Sequence, residues 1–418
     1  MLKLAVIFES SPFDRKGLFN AVHNRVKHLV ETGECEIDVF CIHSRDTALT
    51  RRLRHTPKVP FVDDVTIDGI RYNILWYDFS LIDHALVYKL CRRPFFFGKY
   101  LSRSVAILEG YDHVIAHSFA GGLFAREAFR RFGIPYSVTW HGSDVHTHPW
   151  RNPLILRDTR AVMEEASCNF YVSSALHTES DKITVSARKE VLYNGVSDDF
   201  VRYTDDRRQD LRGKYGLSPE EKVVAFVGSI VAVKNVSVLQ PLFHEIRSRY
   251  DGPLKFWMVG DGKLRGAVEP AMVSDETLDV RFWGNVPAEE MPSVMNCIDV
   301  MVLPSLNEGL PLVCAEAVRC GASVVGSDVG GVPEVIGREN VVPLGDSLVR
   351  GMASKVVEML HYAPDQDVPA AMSWKSTAQK ELSYLKSLSS GGSQLSEYQL
   401  FPCIHVLSKG STWRRLCC

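Results

Sequence analysis

Apolar residues in the first half of the chain gather into short runs separated by longer mixed segments. "KLAVIF" (3–8), "EIDVFCI" (36–42), "HVIAH" (113–117), "PYSVTWH" (135–141) and "NFYVSS" (169–174) read as strands. Between them lie stretches of helical spacing, such as Leu18, Val22, Val26 and Leu29. Strands alternating with helices predict a parallel sheet covered on both faces.

The pattern then breaks. Residues 198–222 are highly charged and carry no strand signal, which predicts a linker followed by a surface helix. A second alternating series follows: "VVAFVGS" (223–229), "KFWMVGDG" (255–262), "VRFWGNV" (280–286), "DVMVLPS" (299–305) and "ASVVGSD" (322–328). The chain thus reads as two similar α/β halves, 1–197 and 198–370. A helical stripe comes next, with Ser373 as its N-cap and Trp374, Ala378, Leu382 and Leu385 on one face. Residues 389–418 begin as a Ser/Gly spacer and end basic with three of the ten cysteines, an atypical and flexible tail.

Composition narrows the picture. At 418 residues, two domains are the soft expectation. The 45% hydrophobic and 23% charged content suits a soluble globular protein. A net charge of -2 offers no nucleic-acid footprint, so a phosphate-bearing ligand must be met by local features. Scattered cysteines without a CxxC pair suit reduced, buried thiols in a cytoplasmic protein. The five apolar residues before Glu9 are too few for a signal-peptide core, and no run approaches a membrane span. The stretch 91–103, with Arg92 and Arg93 among aromatics, reads first as a core-facing helix and second as a peripheral contact at the inner membrane surface.

Candidate chemistry concentrates in "PSLNEGLPLVCAEAVRCG" (304–321). A strand ends at Pro304, a loop follows, and a helix is predicted to begin at Pro311, a favoured first helical position. The carboxyl end of a strand feeding a helix N-terminus is where open α/β sheets bind ligands. Free N–H groups and the helix dipole favour phosphate there, and Gly309 would let it come close. Glu316 lies roughly 7–8 Å along that helix, at the reach of a ribose. Glu308 lies at the other side of such a diphosphate. Two carboxylates there would accept hydrogen bonds from ribose and sugar hydroxyls. Taken alone, the pair reads first as two solvated glutamates.

Further motifs decide between these readings. "FVGSIVAVKNV" (226–236), "MVGDGKLR" (258–265), the 304–321 segment and "SDVGGVPEVI" (327–336) together resemble the donor half of the family 4 retaining glycosyltransferases, which have the GT-B fold. The Glu-x7-Glu pair of that family is matched by Glu308 and Glu316. The first half resembles the family more loosely, through "AHSFAGG" (116–122), "TWHGSD" (139–144) and "LYNGV" (192–196). The resemblance implies an α/β fold of two Rossmann-like domains facing across a cleft, with 371–388 as a helix crossing back to the first domain.

The resemblance also implies roles. Lys234 would hold the donor diphosphate and offset charge growing on the leaving group. Glu308 would contact the transferred sugar and Glu316 the ribose. Backbone N–H groups at Leu310 and Leu312 would meet phosphate, and the turn Gly284–Val286 the base. His117 would face the reacting sugar, and the loop at Gly17 would cap the diphosphate. His141 and Asp144 would either shape the acceptor side or cap a turn. Ser229 stands where the family often has arginine, while Ser197 and Ala322 replace a common aspartate and proline.

The implied activity is retaining transfer of a sugar from a nucleoside-diphosphate-sugar, foremost a UDP- or GDP-sugar, to a hydroxyl acceptor in polysaccharide or glycolipid biosynthesis. The acceptor would be a sugar or a lipid-linked sugar, and no nucleic acid is implied. No cofactor or metal is implied either; Asp63-Asp64, Asp198-Asp199 and Asp205-Asp206 have no companion ligands in sequence. The rival readings are a nucleotide-sugar epimerase on the same fold and a catalytically inactive nucleotide-binding subunit.

Overall fold

The computed structural model describes residues 1–13, 17–54, 56, 58–90, 92, 97–364 and 366–390. The first half contains β1 (Leu2–Glu9), β2 (Cys35–Asp46), β3 (Asp64–Ile67), β4 (Ile70–Phe79), β5 (His113–His117), β6 (Tyr136–Trp140), β7 (Cys168–Tyr171) and β8 (Lys189–Val191). They form one sheet in the order β3-β4-β2-β1-β5-β6-β7-β8. All its pairings are parallel except the β3–β4 hairpin. The second half contains β9 (Lys222–Val227), β10 (Leu254–Val259), β11 (Val280–Gly284), β12 (Val300–Leu303), β13 (Ser323–Ser327) and β14 (Val341–Val342). These form a wholly parallel sheet in the order β11-β10-β9-β12-β13-β14.

β1 shows why an unbroken apolar run suits such a sheet. Leu4, Val6 and Phe8 join one core cluster and Ala5 and Ile7 join another, so successive side chains fill opposite faces. Gly121 lets the helix Ser118–Phe132 lie directly on β1, because an added Cβ would collide with the Ile7 carbonyl.

Four strands were not anticipated: β3, β4, β8 and β14. β3 and β4 join through Asp68 and Gly69, whose φ angles of 49° and 78° make the tight left-handed turn favoured between twisted strands. The Asp-Gly pair was a legible hairpin signal. β8 and β14, of three and two residues, are too short to carry a period.

The charged linker leads into the helix Asp205–Lys214. The C-terminal helix Trp374–Ser390 starts with Ser373 Oγ accepting the Ser376 N–H at 3.1 Å. Ala378, Leu382 and Leu385 bury against the β1 cluster of the first half. Where the chain leaves the first half and later returns, its two passages run side by side, with the Val196 N–H donating to the Met372 carbonyl at 3.1 Å. Gly195 is needed there because a side chain would meet the backbone of Ser373 and Trp374.

In the helix Phe97–Ser104, Phe97 and Leu101 are buried, with Phe97 ring-to-ring against Tyr77 and Phe124 at 5.6 and 6.1 Å. Its apolar face therefore serves the core. Arg92 is exposed, and Arg93 lies outside the described residues. Among the described residues no helix is long and apolar enough to cross a membrane. The six described cysteines are free and buried. Residues 391–418 of the tail lie outside the described residues.

Candidate functional site

In each sheet one central strand has neighbours whose connections leave in opposite directions, and there the loops part to leave a crevice. In the first sheet this switch lies between β1 and β5, and in the second between β9 and β12. Ser229 and Lys234 follow β9; Glu308, Gly309 and Leu310 follow β12; Gly17 follows β1; His117 ends β5. These candidate residues thus gather at the two switch points, whereas Gly284 and Val286 lie at the end of the edge strand β11.

On the second half, Lys234 ends a single 3₁₀ turn, Ala232–Lys234, and its side chain runs beside Gly228. The Leu306 N–H donates to the Val233 carbonyl at 2.8 Å, pinning the loops after β9 and β12 together. Lys234 Nζ then reaches Glu308 Oε1 at 2.6 Å, and Ser305 Oγ donates to the same oxygen at 2.6 Å. Ser229 is exposed one residue beyond Gly228 and extends no charge toward this pair.

The helix is Leu312–Arg319, so Pro311 is its N-cap and not its first helical residue. With φ -79° and ψ 87°, Pro311 makes an inverse γ-turn, in which the Leu312 N–H donates to the Leu310 carbonyl at 3.0 Å. That N–H is therefore occupied, a correction to its expected role toward phosphate. Glu316 is half-buried, and its carboxylate has no hydrogen-bond partner among the described residues. Burial raises its carboxyl to about 7. The Gly284 carbonyl accepts from the Gly260 N–H at 2.8 Å, and Val286 packs on the core edge, so the 284–286 turn is held against β10.

On the first half, His117 Nδ1 and His141 Nε2 lie 3.1 Å apart, with the rings stacked at 5.3 Å. Burial holds His117 well below the usual imidazole range, helped by the positive Arg25 and by His141, and it lowers His141 to about 3. Both rings are neutral near pH 7. Ser118, directly after His117, adopts φ 63°, a strained turn that ends β5 at the histidine. Asp144 caps its own turn, accepting from the Gly142 N–H at 2.8 Å and the His141 N–H at 3.1 Å. Burial still raises its carboxyl to about 6. Gly17 opens the helix Gly17–Glu31 with φ 25° and is exposed; residues 14–16 of its loop lie outside the described residues.

The two sides touch. A side chain at Gly309 would collide with the His141 carbonyl, and Leu310 packs against the cores of both halves. This contact brings the Lys234–Glu308 pair and the His117–His141 stack to one cleft.

The comparisons with known proteins agree with the two-domain fold. The family described as "Glycosyl transferases group 1" matches residues 221–362, and "Glycosyl transferase 4-like domain" matches 17–195. The chain belongs to the family 4-type glycosyltransferases of the GT-B fold. N-acetyl-alpha-D-glucosaminyl L-malate synthase of Bacillus anthracis is 29% identical over 232 residues, 53% of this chain and 58% of that protein. Such matches span little more than half the length of the curated relatives. Sucrose-phosphate synthase of Thermosynechococcus elongatus aligns over 94% of this chain and 98% of its own, with a TM-score of 0.65 and 18% identity. HepE of Anabaena in complex with UDP aligns over 94% and 100%, with a TM-score of 0.65 and 16% identity. At such identities the likeness concerns the fold.

Within this family member, two arrangements escaped the sequence reading. Glu334, on the second half, accepts from the Ser174 N–H, the Ala175 N–H and the Tyr193 hydroxyl, each at 2.8 Å. It lies in the "GGVPEV" segment, but its partners are more than 140 residues away. Arg25 makes a bidentate ion pair with Glu381 at 2.6 and 2.7 Å and also donates to Thr139 Oγ1 at 2.9 Å. Arg25 sits in the middle of an apolar helical stripe and gave no sign of a partner so distant in sequence.

Proposed function

We propose that this protein is a retaining glycosyltransferase that moves a sugar from a nucleoside-diphosphate-sugar, a UDP-sugar foremost, to a hydroxyl acceptor in glycan biosynthesis. The observation that carries the reading is the Lys234–Glu308 pair, held 2.6 Å apart before the 312–319 helix and across the cleft from His117. HepE has been crystallised with UDP, with UDP and glucose and with UDP-glucose, which supports a donor of that kind on this fold.

In this reading the donor diphosphate lies before the 312–319 helix, with Lys234 against it. Glu316 accepts hydrogen bonds from the ribose and Glu308 from the sugar. As the bond from the sugar's anomeric carbon to phosphate breaks, Lys234 meets the charge that gathers on the departing oxygen. A neutral His117 suits an oxocarbenium-like sugar, because a charged imidazolium would repel it. The carboxylates nearest this centre are engaged, Glu308 by Lys234 and Ser305 and Asp144 by backbone N–H groups. This favours attack on the same face: the acceptor oxygen bonds to the anomeric carbon as its proton passes to the leaving phosphate oxygen.

Calorimetric titration of UDP, GDP, TDP and ADP into wild type and Glu316→Ala tests the reading. One nucleotide should bind, and the substitution should weaken it by about 1–3 kcal/mol. Failure of all four to bind would overturn the proposal.

A further inference from the structure

A cavity of about 500 Å³ opens at the carboxyl ends of β1 and β2, outside the Lys234–Glu308 site. Glu9 lines it, one residue after Phe8, which pairs with His117 across β1 and β5. The cavity therefore adjoins the reacting side of the first half, one strand from His117.

One wall is aromatic. The Trp76 ring lies 4.9 Å from His43 and 5.1 Å from Phe61, and Phe61 is 61% exposed. The Trp76 indole N–H donates to the Val62 carbonyl at 2.7 Å, which fixes the ring. Such a platform suits the apolar face of a sugar ring.

The rest of the lining is cationic. Arg54 is tied to Asp46 at 2.6 Å and lies over the Phe79 ring at 4.3 Å, and exposed Arg45 pairs with Asp78. Arg51 and Lys58 also line the cavity, and neither has a carboxylate partner among the described residues. The opposing charges are few. Asp46 is taken by Arg54, and the Glu9 carboxyl accepts the Tyr77 hydroxyl at 3.1 Å. Burial lowers the His43 imidazole, so it adds no charge at neutral pH. The buried Thr56 hydroxyl has no hydrogen-bond partner among the described residues. Positive charge is thus in surplus beside a stacking surface.

We propose that this cavity is the acceptor subsite and that it selects a sugar bearing an anionic group, carboxylate or phosphate. The ring stacks on Trp76 and Phe61, and Arg51 and Lys58 meet the charge. The proposal rests on the glycosyltransferase reading and adds the class of acceptor to it.

The test titrates glucuronate, glucose 6-phosphate, glucose and inorganic phosphate into the full chain by calorimetry, with UDP titrated alongside. Wild type, Arg51→Ala/Lys58→Ala and Trp76→Ala are compared. Both acidic sugars should bind about tenfold or more tighter than glucose, the gain of a hydrogen bond to a charged group. The Arg51/Lys58 double variant should remove that preference while UDP affinity stays the same. Trp76→Ala should weaken both acidic sugars and leave inorganic phosphate unchanged. The proposal is overturned if glucose binds equally well, if inorganic phosphate matches glucose 6-phosphate, or if the preference survives the double variant. Nucleotide binding without acid preference would overturn this inference alone; failure of UDP, GDP, TDP and ADP all to bind would sink the glycosyltransferase reading and this one with it.

Discussion

Lys234 Nζ lies 2.6 Å from Glu308 Oε1, although 74 residues separate them and each comes from a different loop of the second sheet. The side chains are 20% and 11% exposed, so the pair is partly shielded from water. A phosphate entering before the 312–319 helix would compete with Glu308 for the ammonium. The lysine is thus oriented before a donor arrives.

Removing that ammonium should act on the transition state more than on the fold. We expect Lys234→Ala to lower kcat roughly 100- to 1,000-fold, as loss of one preorganised charge stabiliser does. Steady-state transfer kinetics check this, with circular dichroism as the control for folding. Unchanged kcat would remove Lys234 from the mechanism.

With Glu316 at the ribose, as proposed, donor affinity should depend on pH. Its carboxyl is raised to about 7 by burial. Ribose hydroxyls donating to it would favour the ionised form and lower its pKa in the complex. Affinity should therefore be highest above pH 7 and fall as pH drops below it, by up to about tenfold per unit. UDP titrations from pH 5.5 to 8.5 check this, and Glu316→Gln should flatten the profile. A flat wild-type profile would place the ribose elsewhere.

Glu334 joins the two halves through three hydrogen bonds of 2.8 Å. Glu334→Ala leaves two helix-end N–H groups and a tyrosine hydroxyl without their acceptor. We expect a larger radius of gyration by small-angle scattering and a raised donor KM. Identical scattering would show that Leu310 and the Gly309–His141 contact suffice to hold the halves.

The Arg25–Glu381 pair is 1% and 0% exposed, so breaking it strands a buried charge. Arg25→Met or Glu381→Leu alone should cost about 3–5 kcal/mol, and the double replacement should recover much of that. Denaturant unfolding measures both. Additive losses would mean the two charges act independently.

Gly309 packs so closely on the His141 carbonyl that any Cβ would force the loops apart. Gly309→Ala should reduce transfer while each half keeps its own core. Thermal unfolding and activity measured together would separate those effects.

Much of the fold was legible because its strands are parallel and covered on both faces. Runs such as Leu4–Phe8 and Val223–Val227 are apolar throughout, since each alternate residue meets one of two cores. The motif around Glu308 and Glu316 was equally visible, since a loop and the helix after it are local in sequence. The start of that helix was misplaced by one residue, because proline's fixed φ suits an N-cap turn as well as a first helical turn.

Other features depended on the tertiary structure. The pairing of Lys234 with Glu308, the stacking of His117 on His141 and the reach of Glu334 to Ser174 join residues 24 to 160 positions apart. No local period or propensity encodes such distances; sheet order and the packing of two halves set them. The same holds for charge state. Sequence supplies a glutamate at 316 and a histidine at 117, but burial raises the one toward neutrality and keeps the other uncharged. Local patterning determined which elements form and which residue types stand at strand ends. The folded arrangement alone decided which of them meet, because burial and proximity are properties of the whole chain.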